Sequence, residues 1–449
     1  MTKSGGRTFW VDGDRLEPIT QEVLEMRVHV GIDPSKQRHQ VCFLAEGLAR
    51  DRSLIIANDR EGFQRLLDRL NAYCIQGHQV ELAIEPSGHY WENLGYFLQE
   101  QSYESQLVNP FHVSRYTEIW DNTPTKTDRK DSRIIATLLW EGRTLHNNLP
   151  HGPYAELRRL THLRRDLLQE RRRLRSKLHV WIDRYFPEYH RLFSEVAGPS
   201  SLGVLAKYGS PQRIAQAAIA ELSGELKRLS RGKLGETKAR QLQKQAAQSV
   251  GQTIAPRAAH LELKLLVKKI RQNREEIKQV EREIRGVLQE LPEAERLETI
   301  PGVGRWGVAV FLGAVGPVER YRNGRSVEKL AGLNLSEQSS GARRGARHIS
   351  RRGRSDLRQL AYQLALAGIR HNGEFREFYE RKLGRGAAKV SALVALGAKI
   401  LRVMYGVVKS GQGYRPLVEQ QREYERGLGA GRGERRTDLT EEPVRVILD

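Results

Sequence analysis

Only two cysteines, Cys42 and Cys74, occur in 449 residues. Their spacing suits neither a disulfide framework nor a zinc site, so both are expected to be reduced, buried thiols of a cytosolic protein. Long apolar runs are missing too. No stretch approaches the roughly 20 apolar residues that cross a bilayer, and the polar N-terminus lacks the apolar core of a secretory signal, so no membrane partner is expected. Acidic residues are the scarcer charge, with 54 Asp+Glu against 75 Lys+Arg and a net charge of +21. That excess is spread along the chain and implies an extended polyanion as partner, nucleic acid first. Charge by itself leaves a nucleic-acid enzyme and a passive basic scaffold equally open.

Against that background, four acids stand in telling places. Asp33 lies in the strand-like run VHVGIDPSK, Glu85 closes VELAIEP, and Asp128 and Asp131 belong to KTDRKD. Residues 26–146 alternate β-rich runs (RVHVGI, HQVCFLA, SLIIAN, VELAIE, SQLVN) with amphipathic segments (GFQRLLDRLNAY, YWENLGYFLQE, and stretches near 111–118 and 129–140). Three strands, a helix, then alternating strands and helices is the order of a ribonuclease-H-like α/β domain, in which the first strand and the end of the fourth are neighbours. Asp33 and Glu85 would then meet, and Asp128 and Asp131, three apart, share a helix face. Carboxylate oxygens suit hard divalent cations such as Mg²⁺ or Mn²⁺, and paired ions can stabilise the attacking and leaving oxygens of phosphoryl transfer. The alternatives are a turn-forming Asp33 ahead of Pro34 and a helix-capping Asp128.

Residues 152–292 form a basic helical domain. Leu160, Leu167, Leu174 and Trp181 recur every seven residues, and positions 156–184, with Arg171, Arg172 and Arg173 among them, hold ten Lys/Arg against four acids. One stripe can pack while the rest faces phosphates. Leu266, Ile270, Asn273, Ile277, Val280, Ile284, Val287 and Leu291 step alternately by four and three between Pro256 and Pro292, a coiled-coil stripe with one polar interruption. The pattern fits a homo-oligomer, a dimer or tetramer, and equally a pairing of the two helices within one chain. Residues 194–250 read as a small helical insertion.

The third block, 293–412, begins with LETIPGVGRWGVAVFLGAVG. Gly302 and Gly304 between two helical runs fit a helix-hairpin-helix, whose backbone N–H groups can approach a DNA phosphate; a purely structural turn is the alternative. Ser339 and Ser340 then precede Gly341, and residues 343–358 carry seven arginines, Arg343, Arg344, Arg347, Arg351 and Arg352 among them, with one acid, Asp356. Such a loop can hold a phosphate and offer a hydroxyl to attack it. Residues 1–25 read as an N-terminal arm and 413–449 as a flexible tail.

These motifs, over about residues 26–412, closely resemble the DEDD insertion-sequence transposases, which join a resolvase-like nuclease domain to a serine-bearing C-terminal domain. VGIDPSK matches their first-acid motif, Glu85-Pro86-Ser87-Gly88 the second (more often Glu, Ala, Thr, Gly), and NPFHVSRY with KTDRKDSRIIA the third. IPGVG, GLNLSEQSSG, SRRG and DLRQLAYQLAL resemble the C-terminal domain, with Leu335 where proline is usual. The resemblance implies DNA recombination on double-stranded donor and target DNA through a phosphoserine at Ser340, with Ser339 one residue away. It implies a metal site of Asp33, Glu85, Asp128 and Asp131, the acids of one subunit meeting the serine domain of another, and guidance by a structured bridge RNA. Arg343 and Arg344 would steady the phosphorane charge. An invertase of the same architecture without a guide RNA, a metal-dependent junction resolvase and a non-catalytic scaffold remain the competing readings.

Overall fold

The computed structural model describes residues 26–45, 52–120, 127–147, 149–336 and 348–416. The chain divides into two compact units, 1–149 and 150–449.

The first unit is built on a mixed sheet. Its elements are β1 (Arg27–Pro34), β2 (Arg38–Ala45), β3 (Arg52–Ala57), α1 (Arg60–Ile75), β4 (Gln79–Ile84), α2 (Tyr90–Glu100), β5 (Ser105–Leu107), α3 (Pro110–Trp120), α4 (Asp128–Trp140) and β6 (Leu145–His146). The strand order is β3-β2-β1-β4-β5-β6, with β1, β4 and β5 parallel and β2, β3 and β6 antiparallel to their neighbours. This is consistent with the expected ribonuclease-H-like start; β6 is an added edge strand that two residues of chain could not announce. The central strands bury Val28, Val30, Ile32, Leu82 and Ile84 on one face, and on the other Ala83 packs with Ile134, Ile135 and Leu138 of α4, so helices cover both sides of the sheet. Asp59 caps α1, its side chain accepting from the Gly62 N–H at 2.8 Å. Cys42 is buried as expected, but Cys74 is exposed, because the last turn of α1 places it on the outward face.

The second unit is helical. Two 34-residue helices, α5 (Gly152–Tyr185) and α10 (Pro256–Gln289), each about 50 Å long by helical rise, lie antiparallel. Between them come α6 (Pro199–Tyr208), α7 (Pro211–Gln216), α8 (Ile219–Ser230) and α9 (Glu236–Ala247). After α10 follow α11 (Pro292–Glu298), α12 (Arg305–Val315), α13 (Gly324–Leu330), the β7–β8 hairpin (Leu335–Ser336, His348–Ile349), α14 (Ser355–His371), α15 (Gly373–Gly384) and α16 (Lys389–Ser410). The α10 stripe is satisfied inside the chain. Trp181 Nε1 donates to the Ala259 carbonyl (3.0 Å), Asn273 Nδ2 to the Leu167 carbonyl (3.0 Å), and Arg164 Nη2 bonds Glu281 (2.7 Å). Asn273 therefore joins this helix pair, a contact of about 1 kcal/mol net.

The helix pair links two cores. At one end Trp181, Leu263 and Leu266 pack with Leu202, Leu222 and Leu242 of the α6–α9 insertion. At the other, Leu157, Ile284 and Leu288 join α12, α14 and α16. α16 corrects one expectation: its 22 residues are apolar and long enough to cross a membrane, yet 61% of its apolar window is buried in this core. Within the stretch read as a tail, the Tyr414 N–H donates to Thr299 Oγ1 (2.8 Å) and its hydroxyl to Glu374 (2.9 Å), and residues 417–449 lie outside the described residues.

Candidate functional site

The acids are carried by the ends of three elements in the first unit. Asp33 is the penultimate residue of β1, and Glu85 follows the last residue of β4. In the parallel β1–β4 register Ile32 faces Ile84, and the Glu85 N–H donates to the Ile32 carbonyl at 3.2 Å, so Asp33 and Glu85 leave the same end of neighbouring strands. That carboxyl edge is where open α/β sheets hold their ligands. Both acids are half-buried, and Ser87 Oγ donates to Glu85 Oε1 at 2.7 Å, which orients that carboxylate.

α4 brings the other pair. Its cap is Thr127, whose hydroxyl accepts from the Lys130 N–H (3.3 Å), so Asp128 opens the first turn instead of capping it. Asp128 is exposed, whereas Asp131 is buried, 2% exposed, and both sit where a helix N-terminus favours negative charge. Gly31 seats this helix on β1. A Cβ there would lie 2.2 Å from the Ser132 carbonyl oxygen and 2.3 Å from the Ala136 nitrogen. The glycine two residues before Asp33 is thus the reason the α4 backbone can lie directly on the strand.

The four acids expected from the sequence are all oxygen donors with no soft ligand among them, a chemistry suited to a hard divalent cation. Among the described residues, no three His, Cys, Asp or Glu side chains form a group able to hold a metal ion. The structure therefore juxtaposes Asp33 with Glu85 at one strand edge and stations Asp128 and Asp131 on the helix beside that sheet, without closing them into a coordination shell.

In the second unit, Ser339, Ser340, Arg343, Arg344 and Arg347 lie outside the described residues. The residues that flank this stretch are held by pairing and hydrogen bonds. Leu335 pairs with Ile349 and Ser336 with His348; Ser350 Oγ donates to Asn334 Oδ1 (2.6 Å); the Arg351 N–H reaches the Gly332 carbonyl (3.0 Å); and Arg358 Nη1 donates to the Ala331 carbonyl (3.0 Å). Arg351, in the left-handed region (φ 54°), and Arg352 are exposed beside this hairpin. Gly353 is required there, because a Cβ would stand 2.4 Å from the Leu330 carbonyl oxygen.

The two glycines of IPGVG differ. Gly302 (φ +91°) turns the chain between α11 and α12, and its bare α-carbon is taken up by packing, with a Cβ position 3.2 Å from the backbone of Ala367 and Gly368. Gly304 heads α12, is exposed, and has open space where a Cβ would stand. Arg171, Arg172 and Arg173 are exposed along α5.

One group of side chains has no precedent in the motifs. His162 of α5 bonds Asp356 of α14 at 2.9 Å. Burial would raise the Asp356 carboxyl, but the His162 bond, the Leu357 N–H and the charges of His162 and Arg354 outweigh it and hold the group down at about 2. Burial lowers the neighbouring Arg354 guanidinium to about 10. Arg164 lies over the Trp306 ring, 4.5 Å from its centroid. Helices far apart in sequence supply these residues, so no local pattern announced them.

Comparison with known proteins agrees with this layout. Residues 30–187 match the model of a DEDD transposase family of the IS110 type, and residues 294–380 that of the transposase IS116/IS110/IS902 family. The chain is 26% identical over 392 residues, 87% of its length and 96% of the relative, to the insertion element IS116 uncharacterized 44.8 kDa protein of Streptomyces clavuligerus. It is 20% identical over 403 residues, 88% of its length and 99% of the relative, to the pilin gene-inverting protein of Moraxella bovis. A third relative, the transposase for insertion sequence element IS1328 of Yersinia enterocolitica, is 30% identical over 141 residues, 30% of this chain and 42% of that one. The four acids fall inside the first matched stretch and the serine-loop hairpin inside the second, in the order the motifs imply: the chain belongs to the IS110-type transposases and is a DNA-recombining enzyme.

Proposed function

We propose that this transposase cuts and rejoins DNA in the cytosol through a covalent phosphoserine at Ser340, with Asp33, Glu85, Asp128 and Asp131 as its metal-binding acids and a structured bridge RNA choosing the DNA. The observation that carries the reading is the coexistence of two built supports in one chain: acids at the carboxyl edge of β1 and β4, and a clamped hairpin whose loop contains Ser339-Ser340-Gly341 among arginines. A Mg²⁺ or Mn²⁺ ion held by the four acids would supply positive charge against the phosphate oxygens. Ser87 keeps Glu85 oriented, and α4 offers Asp128 and Asp131 from a turn whose dipole tolerates their charge.

On the serine side the reaction is an exchange of phosphodiester bonds. The Ser340 hydroxyl loses its proton and attacks phosphorus, the leaving DNA oxygen takes up a proton, and a phosphoserine forms; attack by a new DNA hydroxyl reverses both steps. The energy of the broken bond is conserved, so no nucleotide triphosphate is needed. Arg343 and Arg344 would balance phosphorane charge, and Gly302, Gly304, Arg347, Arg351 and Arg352 would contact flanking phosphates. Arg171, Arg172 and Arg173 form a surface for an RNA backbone, and assembly into a homo-oligomer belongs to the same reading. The name of the Moraxella relative, a gene-inverting protein matched along nearly its whole length, favours one second reading, a site-specific invertase without guide RNA.

Trapping tests the mechanism. Ser340→Ala should bind DNA as the wild type does, yet yield no protein–DNA adduct and no recombinant, and peptide mapping of the wild-type adduct should place the DNA on Ser340. Products with hydrolysed, protein-free ends would make water the nucleophile. Sustained recombination after RNase treatment would support the invertase.

A further inference from the structure

The second unit has a cleft of about 180 Å³ where α5, α10, α12 and α14 come together. Its lining is mixed in an informative way. Trp306 forms an aromatic wall, its ring held by the Arg164 guanidinium 4.5 Å from the centroid, and Arg164 is itself fixed by Glu281 through bonds of 2.9 and 2.7 Å. Next to it Gly307 lets α14 pack closely on α12; a Cβ there would stand 3.2 Å from Leu364 and 3.4 Å from Leu360. Gln359 and Gln363, one helical turn apart on α14, add two amides, each with donors and an acceptor. Arg165 and Arg172, seven residues and therefore about 10 Å apart along α5, supply cations at the rim.

A bare phosphate would gain nothing from an aromatic wall, and the Asp356 carboxylate in the lining would repel it. A base pair within a duplex keeps its faces stacked and cannot enter a concave space of this size. An unpaired base uses every feature: the ring for stacking, the glutamine amides for its polar edge, and the two arginines for the phosphates on either side. We propose that this cleft binds one unpaired nucleotide, either extruded from the DNA being recombined or presented by a single-stranded stretch of an RNA partner. The inference rests on the family's action on nucleic acid and not on the serine chemistry, so absence of a Ser340 adduct would leave it standing.

The test uses the nuclease-treated full-length protein and fluorescence anisotropy with three probes: a labelled single-stranded DNA, an RNA of the same sequence, and a blunt DNA duplex. Trp306→Leu should weaken binding of a single strand about tenfold while leaving duplex affinity unchanged, the expected size for one lost stacking contact. Gln363→Leu, at an exposed position that leaves the core intact, should act in the same direction by a few fold and decides the matter if Trp306→Leu lowers the melting temperature. A larger loss for the DNA strand would make the occupant a substrate base, and a larger loss for the RNA strand an RNA base. Equal losses on strand and duplex, no loss in either variant, or displacement of the wild-type strand by inorganic phosphate as effectively as by a mononucleotide would overturn the proposal.

Discussion

The acid-bearing edge of the first unit and the hairpin that flanks Ser339 and Ser340 in the second are built by opposite means. The acids stand on regular elements: Asp33 and Glu85 at the ends of adjacent parallel strands, Asp128 and Asp131 in the first turn of a capped helix. Their placement follows from the sheet ladder and from one glycine that admits α4. Ser339 and Ser340 instead lie in the chain between β7 and β8, a two-residue ladder flanked by bonds donated from Ser350 to Asn334, Arg351 to Gly332 and Arg358 to Ala331. Under the proposed function, the groups that share a metal are built into the scaffold, whereas the nucleophile is borne between two short strands.

The comparison breaks first at the acids. Asp33→Asn keeps the shape and removes the charge, and it should cut strand cleavage by about 10²- to 10⁴-fold, the scale of several kcal/mol of lost charge stabilisation, with DNA binding intact. Cleavage assays with a binding control decide it: wild-type rates, or full activity in EDTA, would remove the acids from the chemistry.

Two glycine substitutions sharpen the contrast. Gly31→Ala drives a methyl group into the α4 backbone and should destabilise the first unit by about 3 kcal/mol, seen as a lower denaturation midpoint. Gly353→Ala meets the Leu330 carbonyl at the hairpin's foot and should cost about 1–2 kcal/mol, with a drop in adduct yield larger than the loss of fold explains. If Gly353→Ala left adduct formation untouched, the clamp would have no role in aiming the loop.

The smallest effect is a pH dependence. The Asp356 carboxyl, ordinarily at 3.8, is held at about 2, so the stability it contributes is present above its unfolded value and is lost as pH falls from about 4 towards 2. Wild type should be more stable than Asp356→Asn at pH 5, and the gap should narrow steadily on acidification. A gap independent of pH over that interval would mean that the carboxylate's charge contributes nothing.

Much of the first unit was legible in the chain. Its five longer strands and four helices follow from β-rich runs alternating with amphipathic segments, because each buries apolar residues at a spacing the chain displays, and their order implied that Asp33 and Glu85 would be neighbours. The two-residue strands β6, β7 and β8 were not legible, since so short a ladder has no pattern of its own. Nor was the exposure of Cys74, which depends on which side of the last turn of α1 faces outward.

What the sequence determined by itself was local and chemical: the basic excess, the four acids in their order, the serine among arginines, and the stripe on α10. Those properties depend on residue type and spacing, which a linear chain carries complete. The tertiary structure decided how they were used. Asn273 could have marked an intermolecular seam, and it became a bond to Leu167 within one helix pair because α5, one insertion away, returns antiparallel. Gly302 and Gly304 read alike in sequence, yet the backbone of α14 fills the space beside one and leaves the other open. The Trp306 cleft draws on four helices, and a site assembled from residues 161 to 363 exists only once long-range packing has brought them together.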